Sequence, residues 1–273
     1  MGDDALARKT ETADRFTRMA SDFDPQGAFA HFGERLVEIV GIESGQRVLD
    51  VATGRGAVLF PAMERVGASG EAVGVDLAEG MVQAANEEAE RRGLSLHVRA
   101  MDAEQLDFPD AAFDRVLCGF GVMFFPHLEQ ALGEFRRVLE PGGRLGVSTW
   151  RVSLPEDLQV VLDEMGLVTG SSEQRPPGWI TEPDDLERAL VAAGFTDVRV
   201  IADSLTSVYA DVEEYWASIR GMGPRRTVDA LDASQIERAR AALAERFRAY
   251  ARPDGVHVVA TALLGVASRQ ATN

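Results

Sequence analysis

VLDVATGRG, residues 48–56, decides how this chain reads. Val48, Leu49 and Val51 form a short apolar strand, and Asp50 sits near its carboxyl end. Gly54 and Gly56 then let the backbone turn tightly and approach a ligand with no side chain in the way. In an open parallel sheet, ligands bind at the carboxyl ends of the strands, where the strand order reverses. The segment is therefore both the first strand of an α/β sheet and one wall of a candidate site.

Working outward, AVLFPAMERV (57–66) has helical spacing, and EAVGVD (71–76) reads as a second strand. AEGMVQAANEEAERRG (78–93) reads as a helix closed by Gly93, and LSLHVRA (94–100) as a third strand. FDRVLCGF (113–120) is a fourth strand, LEQALGEFRRVL (128–139) a helix, PGG (141–143) a turn and RLGVSTW (144–150) a fifth strand. Strands alternating with helices at this spacing mean a parallel sheet covered on both faces. Upstream, residues 5–22 and 28–41 read as helices, the second with Phe29, Phe32, Leu36, Val37 and Val40 on one stripe. Beyond Trp150 the pattern is less regular. Helices are expected at 155–168, 182–195, 211–220 and 234–250, and strands at 196–202 and 255–269. No linker splits the chain, so one domain is expected: a helical cap over 1–45, a core over 46–150, and insertions with the final strands over 151–273.

The 273 residues carry 28 basic against 44 acidic side chains, a net charge of −16. That acidity argues against binding nucleic acid, which needs a basic face, and against an anionic membrane surface. Lys9 is the only lysine, a bias read as genomic and not functional. Cys118 is the only cysteine, so an internal disulfide and a cysteine-based zinc site are both excluded. The four histidines, His31, His97, His127 and His257, share no metal-ligand spacing. The first residues lack the apolar stretch of a secretory signal, and no run of ~18 apolar residues exists to span a bilayer. A cytoplasmic location is the expectation.

Two acidic residues accompany the glycine turn. Asp76 ends the second strand, where a carboxylate can accept from both hydroxyls of an adenosine ribose. Asp102 follows the third strand, beside Ala103, where it can accept from an adenine amino group. The run from Gly54 to Leu59 lacks the third glycine of the dinucleotide fingerprint, and no Gly-Lys-Ser/Thr phosphate loop is present. Asp50 would repel a pyrophosphate; it suits a cationic ligand carrying an amino group and a sulfonium.

VLDVATGRG, GVDLAEGM, MDAEQLDFPDAAFD and RVLEPGGRL, in this order, resemble the class I S-adenosylmethionine-dependent methyltransferases. The similarity is greatest to the branch of ubiquinone/menaquinone-type and small-molecule enzymes, and it covers residues 12–150 most closely. It implies a Rossmann-like seven-stranded sheet with N-terminal helices and helical insertions after strand 5. It also implies S-adenosyl-L-methionine as cofactor, with S-adenosyl-L-homocysteine as product. By position, Asp50, Ala52, Thr53, Gly54 and Gly56 would line the methionine end, and Asp76 would hold the ribose. Leu77 and Met81 would pack on the adenine, Asp102 and Ala103 would read its edge, and Phe120 would lie beside the ribose and methionine. Phe23 stands where relatives carry an aromatic residue that closes over the cofactor.

The reaction so implied is a metal-independent, in-line transfer of a methyl group to an O, N or C nucleophile of a small-molecule acceptor. Alignment and exclusion of water are the protein's main contributions. A fold that binds the cofactor but catalyses a non-methylating step such as cyclisation, or that only binds, is the alternative. The chain is expected as a monomer or homodimer. No general base stands out; His127, after the fourth strand, is the one candidate, against a plain helix-start role. His31, Met123, Phe124, Trp179 and Trp216 are candidates for the acceptor pocket, with core packing as the competing reading. Cys118 reads as a small core residue and Asp114 as structural.

Overall fold

The computed structural model describes residues 2–22, 27–151, 156–167, 180–220, 225–249 and 251–271. Hydrophobic alternation organises its sheet. In β1 (Arg47–Val51), Val48 turns to one face and Leu49 and Val51 to the other. In β4 (Phe113–Gly119), Val116 and Cys118 turn one way and Leu117 the other. Strands buried on both faces need helices on both. One face packs on α5 (Leu128–Val138) and α7 (Pro183–Ala192) through Leu132, Phe135, Leu186 and Leu190. The other packs on α2 (Ala28–Val40), α3 (Leu59–Val66) and α4 (Glu79–Arg91) through Leu36, Val40, Leu59, Val66 and Ala85.

The sheet has seven strands in the order β3-β2-β1-β4-β5-β7-β6. β2 (Glu71–Asp76), β3 (Val98–Ala100) and β5 (Leu139–Trp150) run parallel to β1 and β4. β7 (Val256–Ser268) is antiparallel to both β5 and β6 (Thr196–Tyr209). The chain leaves β1 toward β2 and β3, then returns to place β4 on the other side of β1. The carboxyl ends of β1 and β4 therefore flank the switch point where an open sheet leaves a crevice.

The Rossmann-like sheet expected from the motifs is thus present, with differences in length. β3 spans only Val98–Ala100, so His97 precedes it. β6 runs to Tyr209, seven residues past the expected Ala202, because its outer half pairs with β7 beyond the main sheet. The Pro141-Gly142-Gly143 turn is a register shift inside β5, with Gly142 at φ 84°. α1 covers Gly2–Met19 and ends in a tighter turn, Ala20–Asp22. A short helix, α9 (Arg225–Asp229), has no counterpart in the sequence pattern.

A separate apolar cluster lies under the outer ends of β6 and β7. There α6 (Glu156–Glu164), α8 (Val212–Arg220) and α10 (Ala233–Arg248) bury Leu158, Leu162, Tyr215, Trp216, Leu243 and Phe247. Arg137 ties the segment after β3 to α5. It donates to the carbonyls of Leu106 and Phe108 and to Glu134 and Asp110, so the crevice's rim is held by hydrogen bonds where it has no regular structure.

Gly33 lets α2 lie against the turn after β1, since a Cβ there would overlap the Ala57 carbonyl oxygen. Gly33→Ala is expected to lower stability by about 1–3 kcal/mol through overpacking, read as a lower urea midpoint at unchanged m-value; an unchanged midpoint would refute this close approach.

Candidate active site

At the end of β1 the chain leaves the sheet in a run of left-handed residues: Ala52 at φ 55°, Gly54 at 54° and Gly56 at 86°. The Thr53 N–H donates to the Val75 carbonyl (3.0 Å) and the Gly56 N–H to the Thr53 carbonyl (2.9 Å), which pins the turn to β2. Phe120, at the end of β4, is also left-handed (φ 57°); its N–H donates to the Ser148 hydroxyl and carbonyl, both at 3.1 Å. Such a conformation costs a residue with a Cβ about 1–2 kcal/mol. Here it occurs at the ends of both strands that flank the switch point, and strain of this kind concentrates at functional sites.

The glycine turn leaves Asp50 buried beneath it. Its Oδ2 accepts from the Thr53 hydroxyl at 2.5 Å, while its Oδ1 is buried with no hydrogen-bond partner. Burial pushes this carboxyl up to about 7; the Thr53 hydrogen bond and the Leu59 N–H oppose that, and the nearby Asp76 adds to it. A carboxylate with one unpartnered buried oxygen is complementary to a cationic donor, so the donor set fits the amino group of an amino-acid-bearing cofactor.

Asp76, at the end of β2, accepts from the Gly54 N–H (2.8 Å) and the Ala78 N–H (2.9 Å). Burial raises its pKa, and those backbone donors hold the rise down. After β3, Asp102 accepts from the Glu104 N–H at 2.9 Å. Lys9 of α1 lies 2.6 Å from both Asp102 and Glu104. The backbone N–H of His127 donates to Glu104 (2.8 Å), and its Nδ1 lies 2.9 Å from the same carboxylate.

All of these groups face one cavity of about 2140 Å³. Single-ligand pockets run to ~300–1,000 Å³, so there is room for two molecules side by side. Asp50, Ala52, Thr53, Gly54 and Gly56 line it from β1, and Asp76, Leu77 and Met81 from β2 and α4. Asp102 and Ala103 line it after β3, and Phe120, Met123, Phe124 and His127 after β4. Its other half is apolar and aromatic. Trp150 lies 4.4 Å from Phe120 between ring centres, and Phe29 stands edge-on to both at 5.0 and 5.6 Å. Val259 and Thr261 of β7 continue that wall.

Two expected pocket residues are elsewhere. Trp216 is buried in the cluster of α6, α8 and α10, because α8 turns its apolar side toward α10. His31 lies on α2 beyond the arc of Phe29, Ala30 and Glu34 that faces the cavity, and packs edge-on against Phe32 at 5.0 Å. Phe23 and Trp179 lie outside the described residues. Cys118 is a buried strand residue whose thiol burial pushes up, and Asp114 accepts from the Arg47 N–H at 2.7 Å, a structural bond. Lys9, Phe29, Trp150, Val259 and Thr261 line the cavity without having been anticipated. Trp150 alone had a positional signal, as the end of a parallel strand. Among the described residues, no group of three His, Cys, Asp or Glu side chains is placed to hold a metal ion, and no helix is long and apolar enough to cross a membrane.

A family model described as "Methyltransferase domain" matches residues 48–143, the span from β1 to the turn in β5. The aklanonic acid methyltransferase of Streptomyces sp. (strain C5) is 34% identical over 70% of this chain and 94% of its own. The chain belongs to the S-adenosylmethionine-dependent methyltransferase family. The nocamycin O-methyltransferase of Saccharothrix syringae is also 34% identical to this methyltransferase, over 70% of this chain and 74% of its own. A crystal structure of a SAM-dependent methyltransferase from Aquifex aeolicus superposes with a TM-score of 0.53 at 23% identity, covering 68% of this chain and 91% of that one. S-adenosylmethionine is the cofactor of the family, and the unpartnered Asp50 oxygen beneath the turn is chemically suited to it.

Asp50 binds its proton more tightly in the folded chain than in the unfolded one, where the ordinary value is 3.8. Between that value and about 7 the folded state therefore holds the extra proton, and stability falls as pH rises through the window. Asp50→Asn removes this term. Its stability relative to wild type is expected to climb from pH 4 to pH 7 and level off above, in urea unfolding without cofactor; a pH-independent difference would contradict the buried, unneutralised carboxyl.

Proposed function

We propose that this methyltransferase transfers the methyl group of S-adenosylmethionine to an O, N or C nucleophile of a small, partly apolar acceptor, without a metal. The observation that carries this reading is the two-sided cavity. Its acidic half lies at the ends of β1, β2 and β3, its aromatic half lies between α2, β5 and β7, and the volume exceeds one ligand's need. The relatives named for aklanonic acid and nocamycin support an acceptor of that class, and their names as methyltransferases speak against a non-methylating role.

The bound cofactor supplies an electrophilic methyl group on a sulfonium. In this reading Asp50 receives the cofactor's ammonium with its free oxygen, and Ala52, Thr53, Gly54 and Gly56 form the backbone cradle around the methionine portion. Asp76 holds the ribose hydroxyls with lone pairs not used by Gly54 and Ala78. Leu77 and Met81 form the apolar floor under the adenine, and Asp102 with Ala103 receives its edge. Phe120 covers the ribose and methionine side. Trp150, Phe29 and the residues after β4, Met123 and Phe124, exclude water and orient the acceptor, which is where most of the rate gain arises in an in-line displacement. No general base is assigned: the His127 ring is held by Glu104, and its backbone carbonyl accepts from Gln130 and Ala131 at the start of α5. The cap at 1–45, the core at 46–150 and the remainder at 151–273 act as one domain, in the cytoplasm, as a monomer or homodimer.

The test is S-adenosylhomocysteine formation across phenols, enolisable ketones, carboxylates and amines. Turnover on at least one small acceptor is expected, and turnover confined to protein or RNA would overturn the reading. Asp76→Ala removes an acceptor of charge-assisted hydrogen bonds, so S-adenosylhomocysteine affinity is expected to fall about 30-fold or more by calorimetry. Unchanged affinity would remove Asp76 from the site. With ammonium drawn to Asp50, cofactor binding near pH 7 is expected to release protons, detected as a dependence of the calorimetric heat on buffer ionisation enthalpy. That dependence should vanish in Asp50→Asn.

A further inference from the structure

Lys9 stands apart from the 27 arginines that make up the rest of the basic side chains. Its side chain is 18% exposed, and its Nζ lies 2.6 Å from Asp102 Oδ2 and 2.6 Å from Glu104 Oε2. The Glu104 side chain is 2% exposed and is fixed from the other side by the backbone and ring of His127. Burial opposes both charges, yet the hydrogen bonds outweigh it: Lys9 sits above its ordinary pKa and Glu104 below. Without a cation between them, two carboxylates two residues apart would repel each other at the cavity rim.

The far end of α1 is held differently. Phe16 meets Phe124 edge-on at 5.0 Å, and the Gly80 N–H at the start of α4 donates to the Thr17 hydroxyl at 3.2 Å. Any side chain on Gly80 would press on the Thr17 backbone. Packing therefore anchors α1 near Thr17, and eight residues away, about 12 Å along the helix, the charges at Lys9 anchor it again.

We infer that Lys9 is a positioning residue for cofactor recognition. It straps α1 across the cavity and fixes the Asp102 carboxylate in the rotamer that receives the 6-amino group of adenine. This rests on the reading of Asp102 as the adenine acceptor. Lys9 itself touches neither reactant; it acts through Asp102. Methionine at this position keeps the length of the side chain and removes its charge, while arginine keeps the charge.

The experiment compares calorimetric binding of S-adenosylhomocysteine with that of S-inosylhomocysteine, whose 6-oxo group cannot donate to Asp102. The proteins are wild type, Lys9→Met, Lys9→Arg, Asp102→Ala and the Lys9→Met/Asp102→Ala pair. Lys9→Met is expected to weaken S-adenosylhomocysteine binding about tenfold and leave the inosyl compound within about twofold; Lys9→Arg should recover most of the loss. The double variant should bind no more weakly than Asp102→Ala alone, since the two residues act as one unit. Equal losses for both nucleosides, or additive losses in the pair, would reduce Lys9 to a structural tie and overturn the proposal. A neutral Asp102→Ala, which leaves no side-chain acceptor, would refute the adenine reading itself, whereas a weakened Asp102→Ala beside a neutral Lys9→Met would refute only the role of Lys9. A second measurement uses the unaltered protein and needs no variant to fold. Lys9 is the chain's sole side-chain amine, so its acylation by an amine reagent, followed by mass spectrometry, should slow several-fold when S-adenosylhomocysteine is bound. An unchanged rate would count against the strap.

Discussion

The site is organised around one buried carboxyl group that is short of hydrogen-bond partners. Asp50 is fully buried; the Thr53 hydroxyl donates to its Oδ2, the Leu59 N–H also supports the carboxylate, and its Oδ1 has no hydrogen-bond partner. The strand that carries it is a central strand, so the residue cannot swing out to water without breaking pairs to β2 and β4. The turn above it includes the left-handed residues Ala52, Gly54 and Gly56, and a side chain on Gly56 would collide with the Phe60 ring. Burial disfavours the charged form of this carboxyl, and a cationic ligand seated beside it would favour that form.

Around that point, charge is distributed by strand. The ends of β1 and β2 and the segment after β3 present Asp50, Asp76 and Asp102, and each is treated differently. Asp50 is left short of a partner. Asp76 is braced by two backbone donors, and Asp102 is matched by the single lysine, brought from the other end of the sequence by α1. On the far side of the crevice the cavity turns aromatic, with Phe29, Phe120 and Trp150 packed at edge-on or tilted angles. A reaction between a charged cofactor and an organic acceptor suits that division, since one wall orders ions and the other removes water. The net charge of −16 argues against some partners, but it does not describe this site.

The parallel core was legible because its signals are local. Strand-helix alternation from 47 to 150, glycines at a tight turn, and acidic residues at strand ends each reflect backbone geometry within a few residues. The same locality explains the misses. Trp216 and His31 lie on amphipathic helices, and sequence spacing says which residues share a face without saying what that face meets. Trp216 met a second apolar cluster, and His31 fell just outside the arc of α2 that looks into the cavity. β3 is shorter and β6 longer than their hydrophobic runs indicate, because pairing partners set strand length and a local pattern names none.

Residue order along neighbouring strands pointed to a cationic ligand, through a turn without a third glycine and three carboxylates at successive strand ends, and the motif resemblance implied which one. Only the tertiary structure decided what surrounds that ligand. It brought Lys9 from α1 to Asp102, turned Val259 and Thr261 of the last strand into the same cavity as the turn after β1, and packed Trp150 at a tilt against Phe120. Those residues lie far apart along the chain. Their contacts depend on strand order and helix docking, which long-range packing fixes and no local pattern encodes.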